Sequence, residues 1–109
     1  MDLKQLKVRL QLACVGFEGL IWNRMFGCDA VFRSKQIFGL IWKESRIGLR
    51  YPESNEFEQR IRLKGSSKWE PGGRTTKHWV LVPNEVVDNP DELKEWAAIA
   101  HLAADGSRS

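Results

Sequence analysis

Cysteine and histidine are scarce in this 109-residue chain, with two of each, and their placement excludes more than their number does. Cys14 and Cys28 form no Cys-x-x-Cys, and no His-x-x-x-His completes a zinc set, so neither a structural metal nor a cofactor held by such ligands is expected. Two cysteines are too few for a disulfide framework, and small buried thiols in a reducing compartment are the simpler reading. Long apolar runs are also missing. No stretch approaches the roughly 18 residues that a membrane span needs. Asp2, Lys4, Lys7 and Arg9 interrupt the first ten residues, which removes the apolar centre of a secretory signal. A cytosolic protein is therefore expected. The two histidines, His78 and His101, define no spacing motif, and Ser66-Ser67 lacks the flanks of a nucleophile elbow. Gly72-Gly73-Arg74-Thr75 resembles an anion-cradling loop but is not followed by Gly-Lys-Ser/Thr. No catalytic set is assembled, and an enzyme is not expected.

What is present belongs to an ordinary globular domain, 42% hydrophobic and 28% charged. The length suits one domain over 1–109, large enough to bury a single core without metal or disulfide. The net charge of +3 is mild but unevenly spread. Residues 33–50 carry Arg33, Lys35, Lys43, Arg46 and Arg50 against Glu44. Residues 60–77 carry Arg60, Arg62, Lys64, Lys68, Arg74 and Lys77 against Glu70. From Glu85 to Asp105 the acids Glu85, Asp88, Asp91, Glu92, Glu95 and Asp105 face only Lys94. A dipolar surface follows.

Periodicity places a helix on Leu3, Leu6, Leu10, Ala13 and Phe17. Leu20 to Phe26, Ala30 to Arg33, Gln36 to Lys43 and Arg46 to Tyr51 read as a meander of antiparallel strands, with turns at Ser34-Lys35 and Glu44-Ser45. After Pro52 the charge order favours a short helix, with Ser54 as N-cap and Gly65 as stop. Phe57 and Ile61 would anchor it, leaving Arg60, Arg62 and Lys64 in water. Ser66 to Lys77 is a loop, and His78 to Val82 a strand ended by Pro83. Asn89 caps a last helix that starts at Pro90 and runs to about Ala104, with Leu93, Trp96, Ala97 and Ala100 as its apolar face. Residues 105–109 form a polar tail. The order is α-β-β-β-β-α-β-α.

Arg24-Met25-Phe26-Gly27, a following hairpin, Gly48-Leu49-Arg50-Tyr51-Pro52, the glycine-arginine loop, Trp79-Val80-Leu81-Val82-Pro83 and a terminal Leu93-x-x-Trp96 helix occur in that order. This series resembles the N-terminal domain of TfoX/Sxy proteins from about residue 24 to residue 104. The resemblance implies a two-layer α+β fold, a curved antiparallel sheet of about four to five strands with helices on one face. Full-length members of that family are regulators of natural competence that add a second domain, to which DNA handling is ascribed. The 109 residues match the N-terminal unit alone. For stand-alone units of this kind the resemblance implies no reaction or ligand.

Within the motif Arg24-Met25-Phe26-Gly27, Met25 and Phe26 are expected in the core, with Gly27 permitting a turn that a side chain would obstruct. On the third strand, Phe38, Leu40 and Trp42 alternate with Ile37, Gly39 and Ile41, so both sheet faces are apolar. Helices can cover only one. The other is expected to be closed either by a symmetric dimer on Ile37, Gly39 and Ile41 or by the N-terminal segment or a loop of the same chain. Arg46, Arg50, Arg74, Lys77 and His78, with Trp79 beside them, form the candidate contact set for nucleic acid or another anion, phosphates being neutralised and bases stacking on the indole. The usual alternative is a solvated basic face and core tryptophans. On balance the sequence points to a non-enzymatic domain that works through protein contacts, as a homodimer and with a regulatory partner, direct nucleic-acid binding being the second reading.

Overall fold

The computed structural model describes residues 1–74 and 76–105. Helix α1 (Leu3–Ala13) opens the chain, capped by Asp2, whose carboxylate accepts the Gln5 N–H while the Gln5 side chain reciprocates on the Asp2 N–H. Four strands follow: β1 (Leu20–Met25), β2 (Cys28–Arg33), β3 (Gln36–Trp42) and β4 (Arg46–Arg50). Next come α2 (Ser54–Ile61), a two-residue β5 (Ser67–Lys68) and one 3-10 turn at Pro71–Gly73. The chain closes with β6 (Trp79–Leu81), the single-turn α3 (Asn84–Val87) and α4 (Pro90–Ala103). The strands make one sheet in the order β1-β2-β3-β4-β6-β5, antiparallel throughout.

The α+β, two-layer architecture is the expected one, with six strands rather than four or five. The extra strand is β5, too short to show a period of two. Likewise α3 has only four residues, fewer than an amphipathic pattern needs. The α2 cap is also displaced by one residue. Glu53, not Ser54, is the N-cap, because its longer carboxylate reaches the N–H groups of both Asn55 and Glu56. The same helix ends at Ile61, before Gly65.

One sheet face is covered by helices. Leu6, Leu10 and Ala13 of α1 and Leu93, Trp96, Ala97 and Ala100 of α4 pack on Val31, Phe38, Ile41, Ile47, Leu49 and Val80. Phe57 and Ile61 of α2 join this core from its margin. Arg60 of α2 does not stay in water as expected. Its guanidinium lies between the rings of Tyr51 and Trp96, 4.8 and 4.6 Å from their centroids, and pairs with Glu56 at 2.9 Å. Two aromatic faces and a carboxylate compensate its desolvation. The Tyr51 hydroxyl donates to the Trp96 carbonyl at 2.8 Å, so α4 is tied to the end of β4.

A bulge in β3 reorders its two faces. Val31 lies opposite Gly39 and Phe32 opposite Ile37, which leaves Phe38 without a cross-strand partner. The extra residue shifts the alternation by one. Phe38, Gly39 and Ile41 therefore meet the helices, whereas Ile37, Leu40 and Trp42 turn to the other face. The regular alternation of Phe38, Leu40 and Trp42 against Ile37, Gly39 and Ile41 is thus broken, and the expected dimer triad is split between the two layers. Gly39 leaves room for side chains of β2, β4 and α1 that close over it. A Cβ there would stand 2.9 Å from Val31 Cγ1, 3.2 Å from Leu49 Cδ2 and 3.5 Å from Leu10 Cδ2.

The early tetrapeptide is a turn motif, not a core one. Phe26 and Gly27 both have positive φ, 56° and 75°, the pair required by a two-residue type I′ hairpin turn between β1 and β2. No atom outside the immediate chain lies within 4 Å of a Cβ built at Gly27, so its requirement is conformational and not steric. Arg24 clasps the turn, donating to the Gly27 carbonyl at 2.7 Å and to Asp29 at 3.2 Å. Met25 and Phe26 are 39% and 60% exposed.

Gly39→Ala is expected to lower the unfolding free energy by about 1–3 kcal/mol, the usual cost of forcing an added methyl into a packed core. Urea unfolding measures it. An unchanged midpoint would mean that the side chains around Gly39, Val31 and Leu49 above all, are not packed as tightly as this.

Candidate interaction surface

The second sheet face is closed over half its width by a residue from the polar loop. Trp69 leaves β5 and folds back over the sheet, 1% exposed, onto Cys28, Ala30, Leu40, Trp42, Trp79 and Leu81. Its ring meets Trp42, Trp79 and Phe26 edge to face at centroid distances of 5.4, 5.2 and 5.4 Å, the geometry that aromatic quadrupoles favour. The indole Nε1 is buried without a hydrogen-bond partner among the described residues. The glycine-arginine segment supports this arch. Gly72 and Gly73 have φ of 62° and 80°, and the Gly73 and Arg74 N–H groups are spent on the Glu70 and Pro71 carbonyls. Thr76 closes the loop by donating its hydroxyl to the Trp69 carbonyl at 2.7 Å. Those backbone donors turn inward and do not converge on an anion.

The basic and aromatic candidates are dispersed. Arg46 and Arg50 share the open face of β4, as expected, but Arg46 is spent on structure. Its Nη2 donates to the carbonyls of Gly65, Leu81 and Val82 at 2.9, 3.0 and 3.3 Å. Burial lowers its pKa from the ordinary arginine value, opposed by Glu44. Arg50 is half-buried, opposite Trp79 across the ladder. Arg74 and Lys77 are exposed on the loop. His78 lies toward the helix layer, with φ of 68° and its ring 5.5 Å from that of Phe57. A shallow cleft of about 360 Å³ opens there, lined by Ser54, Phe57, Glu58, Lys68, Thr76, Lys77 and His78. His78 Nδ1 is buried and has no hydrogen-bond partner among the described residues. Trp79 itself is 6% exposed beneath Trp69, so no base can stack on it.

The remaining reactive groups serve packing. His101 is buried against Phe17 and Phe38, with Nε2 2.7 Å from the Glu18 carbonyl. Cys14 and Cys28 are free and buried. Burial pushes the Cys14 thiol up to about 12, so it stays protonated at neutral pH. The Cys28 thiol is also raised, chiefly by burial, and its Sγ donates to the Met25 carbonyl at 3.1 Å. Among the described residues no group of three His, Cys, Asp or Glu side chains stands close enough to hold a metal, and no helix is long and apolar enough to cross a membrane.

The exposed surface offers apolar residues instead, and these were not anticipated. Val8 and Leu12 on α1 and Val15 just past its end are 51 to 66% exposed, beside the buried stripe. A groove of about 410 Å³ runs between α1 and the start of α4, lined by Arg9, Leu12, Val87, Pro90 and Lys94 among others. On the uncovered half of the sheet, Ile21, Met25 and Phe26 are exposed next to half-buried Phe32 and Ile37. The spacings 8, 12, 15 and 21, 25 were legible. Each was masked by a stronger pattern on the same or the adjoining element.

The family model described as TfoX N-terminal domain matches residues 13–104. No curated protein matches the chain. Arg46→Met is expected to cost about 1–3 kcal/mol, since three carbonyls lose one charged donor, whereas Arg50→Met should stay within about 0.5 kcal/mol. Thermal unfolding distinguishes them. Equal effects would show that Arg46 is no more structural than its neighbour.

Proposed function

We propose that this chain, which belongs to the TfoX N-terminal domain family, acts as a non-enzymatic regulatory module that works in the cytosol through protein contacts. One observation carries the reading. Most of the large exposed apolar side chains lie in two regions, Val8, Leu12 and Val15 at α1 and Ile21, Met25 and Phe26 on the uncovered half of the sheet, with Leu63 and Leu102 apart from them, whereas four of the five tryptophans are buried. Clustered apolar exposure on a folded domain marks sites of association. The family tie to regulators of natural competence supports regulation as the context, and the two buried free thiols suit a reducing compartment.

Direct nucleic-acid binding has weaker support. It needs converging cations and an accessible stacking ring, and here Arg46 is bound to carbonyls, His78 faces the helix layer and Trp79 is covered. The test is fluorescence anisotropy of labelled single- and double-stranded nucleic acid across a salt series. Arg50→Glu and Arg74→Glu serve as controls, because reversing Arg46 would disturb the fold itself. No salt-sensitive binding is expected. Dissociation constants near or below ~10⁻⁶ M that weaken steeply with salt, and are lost on reversal of Arg50 and Arg74, would overturn the reading.

A further inference from the structure

Strand β1 lies at the end of the sheet and pairs on one side only among the described residues. Which backbone groups face outward follows from the hairpin. Met25 and Cys28 close a two-residue turn and so exchange hydrogen bonds with each other, and alternation makes Asn23 and Ile21 bond inward as well. Trp22 and Arg24 therefore direct their N–H and C=O groups away from β2. The Arg24 N–H is consistent with this, since it is taken up by the Asn23 side chain at 2.8 Å and not by β2. The strand has no proline, and its one charge, Arg24, is drawn back onto the hairpin turn and Asp29 and does not guard the edge.

We infer that β1 pairs with β1 of a second copy of this chain, antiparallel, about a two-fold axis through Asn23. This register is self-complementary. Trp22 and Arg24 of opposite copies fall in the hydrogen-bonded pairs, exchanging their outward backbone groups once the Arg24 N–H leaves the Asn23 side chain, and each guanidinium comes beside an indole. On the open face Ile21 falls opposite Met25 of the partner copy, so the exposed apolar residues of one edge cover those of the other. Asn23 meets its own copy in a non-hydrogen-bonded pair. No like charges stand directly opposite. Asp29, 3.2 Å from Arg24 and 3.7 Å from Lys7, balances the cations on the helix side of this edge. The pairing would extend the six-stranded sheet across the axis and set the apolar edges of the two open half-faces against each other.

The inference rests on the protein-contact reading but fails separately from it: salt-sensitive nucleic-acid binding defeats that reading, whereas a monomer defeats only this one. The test combines light scattering over a wide concentration range with cysteine cross-linking. A two-chain mass is expected, weakened at least about tenfold in dissociation constant by Ile21→Lys and by Arg24→Pro. Because Cys14 and Cys28 are buried, Asn23→Cys supplies the accessible thiol and should form an intermolecular disulfide on mild oxidation. Lys35→Cys, in the β2–β3 turn, should not. Ile21→Lys keeps the test valid if Arg24→Pro fails to fold. A one-chain mass at every concentration would overturn the inference, and so would a dimer indifferent to Ile21→Lys with no Asn23→Cys cross-link.

Discussion

A sheet that is apolar on both faces is the constraint on which the rest of this structure depends. The helices α1 and α4 bury one face, and one layer of helices cannot reach the other. The chain solves half of that problem with Trp69, which the loop after β5 folds over Trp42 and Trp79. The glycines of that loop, the Thr76 hydroxyl and the Arg46 guanidinium all act to hold this arch in place. Residues that resemble an anion site in sequence are thereby explained as supports for a core. The Trp69 Nε1, without a partner among the described residues, is the cost of placing an indole, and not a phenyl ring, at the centre of that cluster.

The other half of the face stays open beside the free edge of β1. Its exposure follows from the hairpin chemistry of Phe26-Gly27. A type I′ turn keeps β1 in tight register with β2 and holds Phe26 at the surface, where it touches only the margin of the Trp69 cluster. Arg24 stabilises that turn from outside. A motif that reads as core is in this way the frame of an uncovered apolar edge, and the interaction reading grows from that geometry.

The elements with strong periodicity or capping chemistry were legible in the sequence. Asn89-Pro90 marked α4, the Ser34-Lys35 turn marked the β2–β3 hairpin, and the order of elements followed. Side-chain direction was less accessible wherever a backbone irregularity intervened. The bulge at Phe38 reverses the inside and outside of β3, and nothing in Gln36–Trp42 distinguishes a bulged from a regular apolar strand. Arg60 escaped because its compensation comes from Tyr51 and Trp96, far apart in sequence. Of the candidate basic residues, Arg46 and Arg50 were placed correctly on one side of β4, but local pattern cannot reveal that the carbonyls of Gly65, before β5, and of Leu81 and Val82, at the end of β6, capture Arg46. A single tryptophan in an otherwise polar, glycine-rich loop was the one available sign of how the second face is closed.

The closure of that face by the chain's own Trp69 is the central claim, and isotope-filtered NOE spectroscopy on a mixture of labelled and unlabelled protein tests it most directly. The account predicts contacts from the Trp69 indole to the Trp42 and Trp79 rings within one chain. Their absence, or their appearance only between chains, would contradict it and return the covering of the second face to a partner.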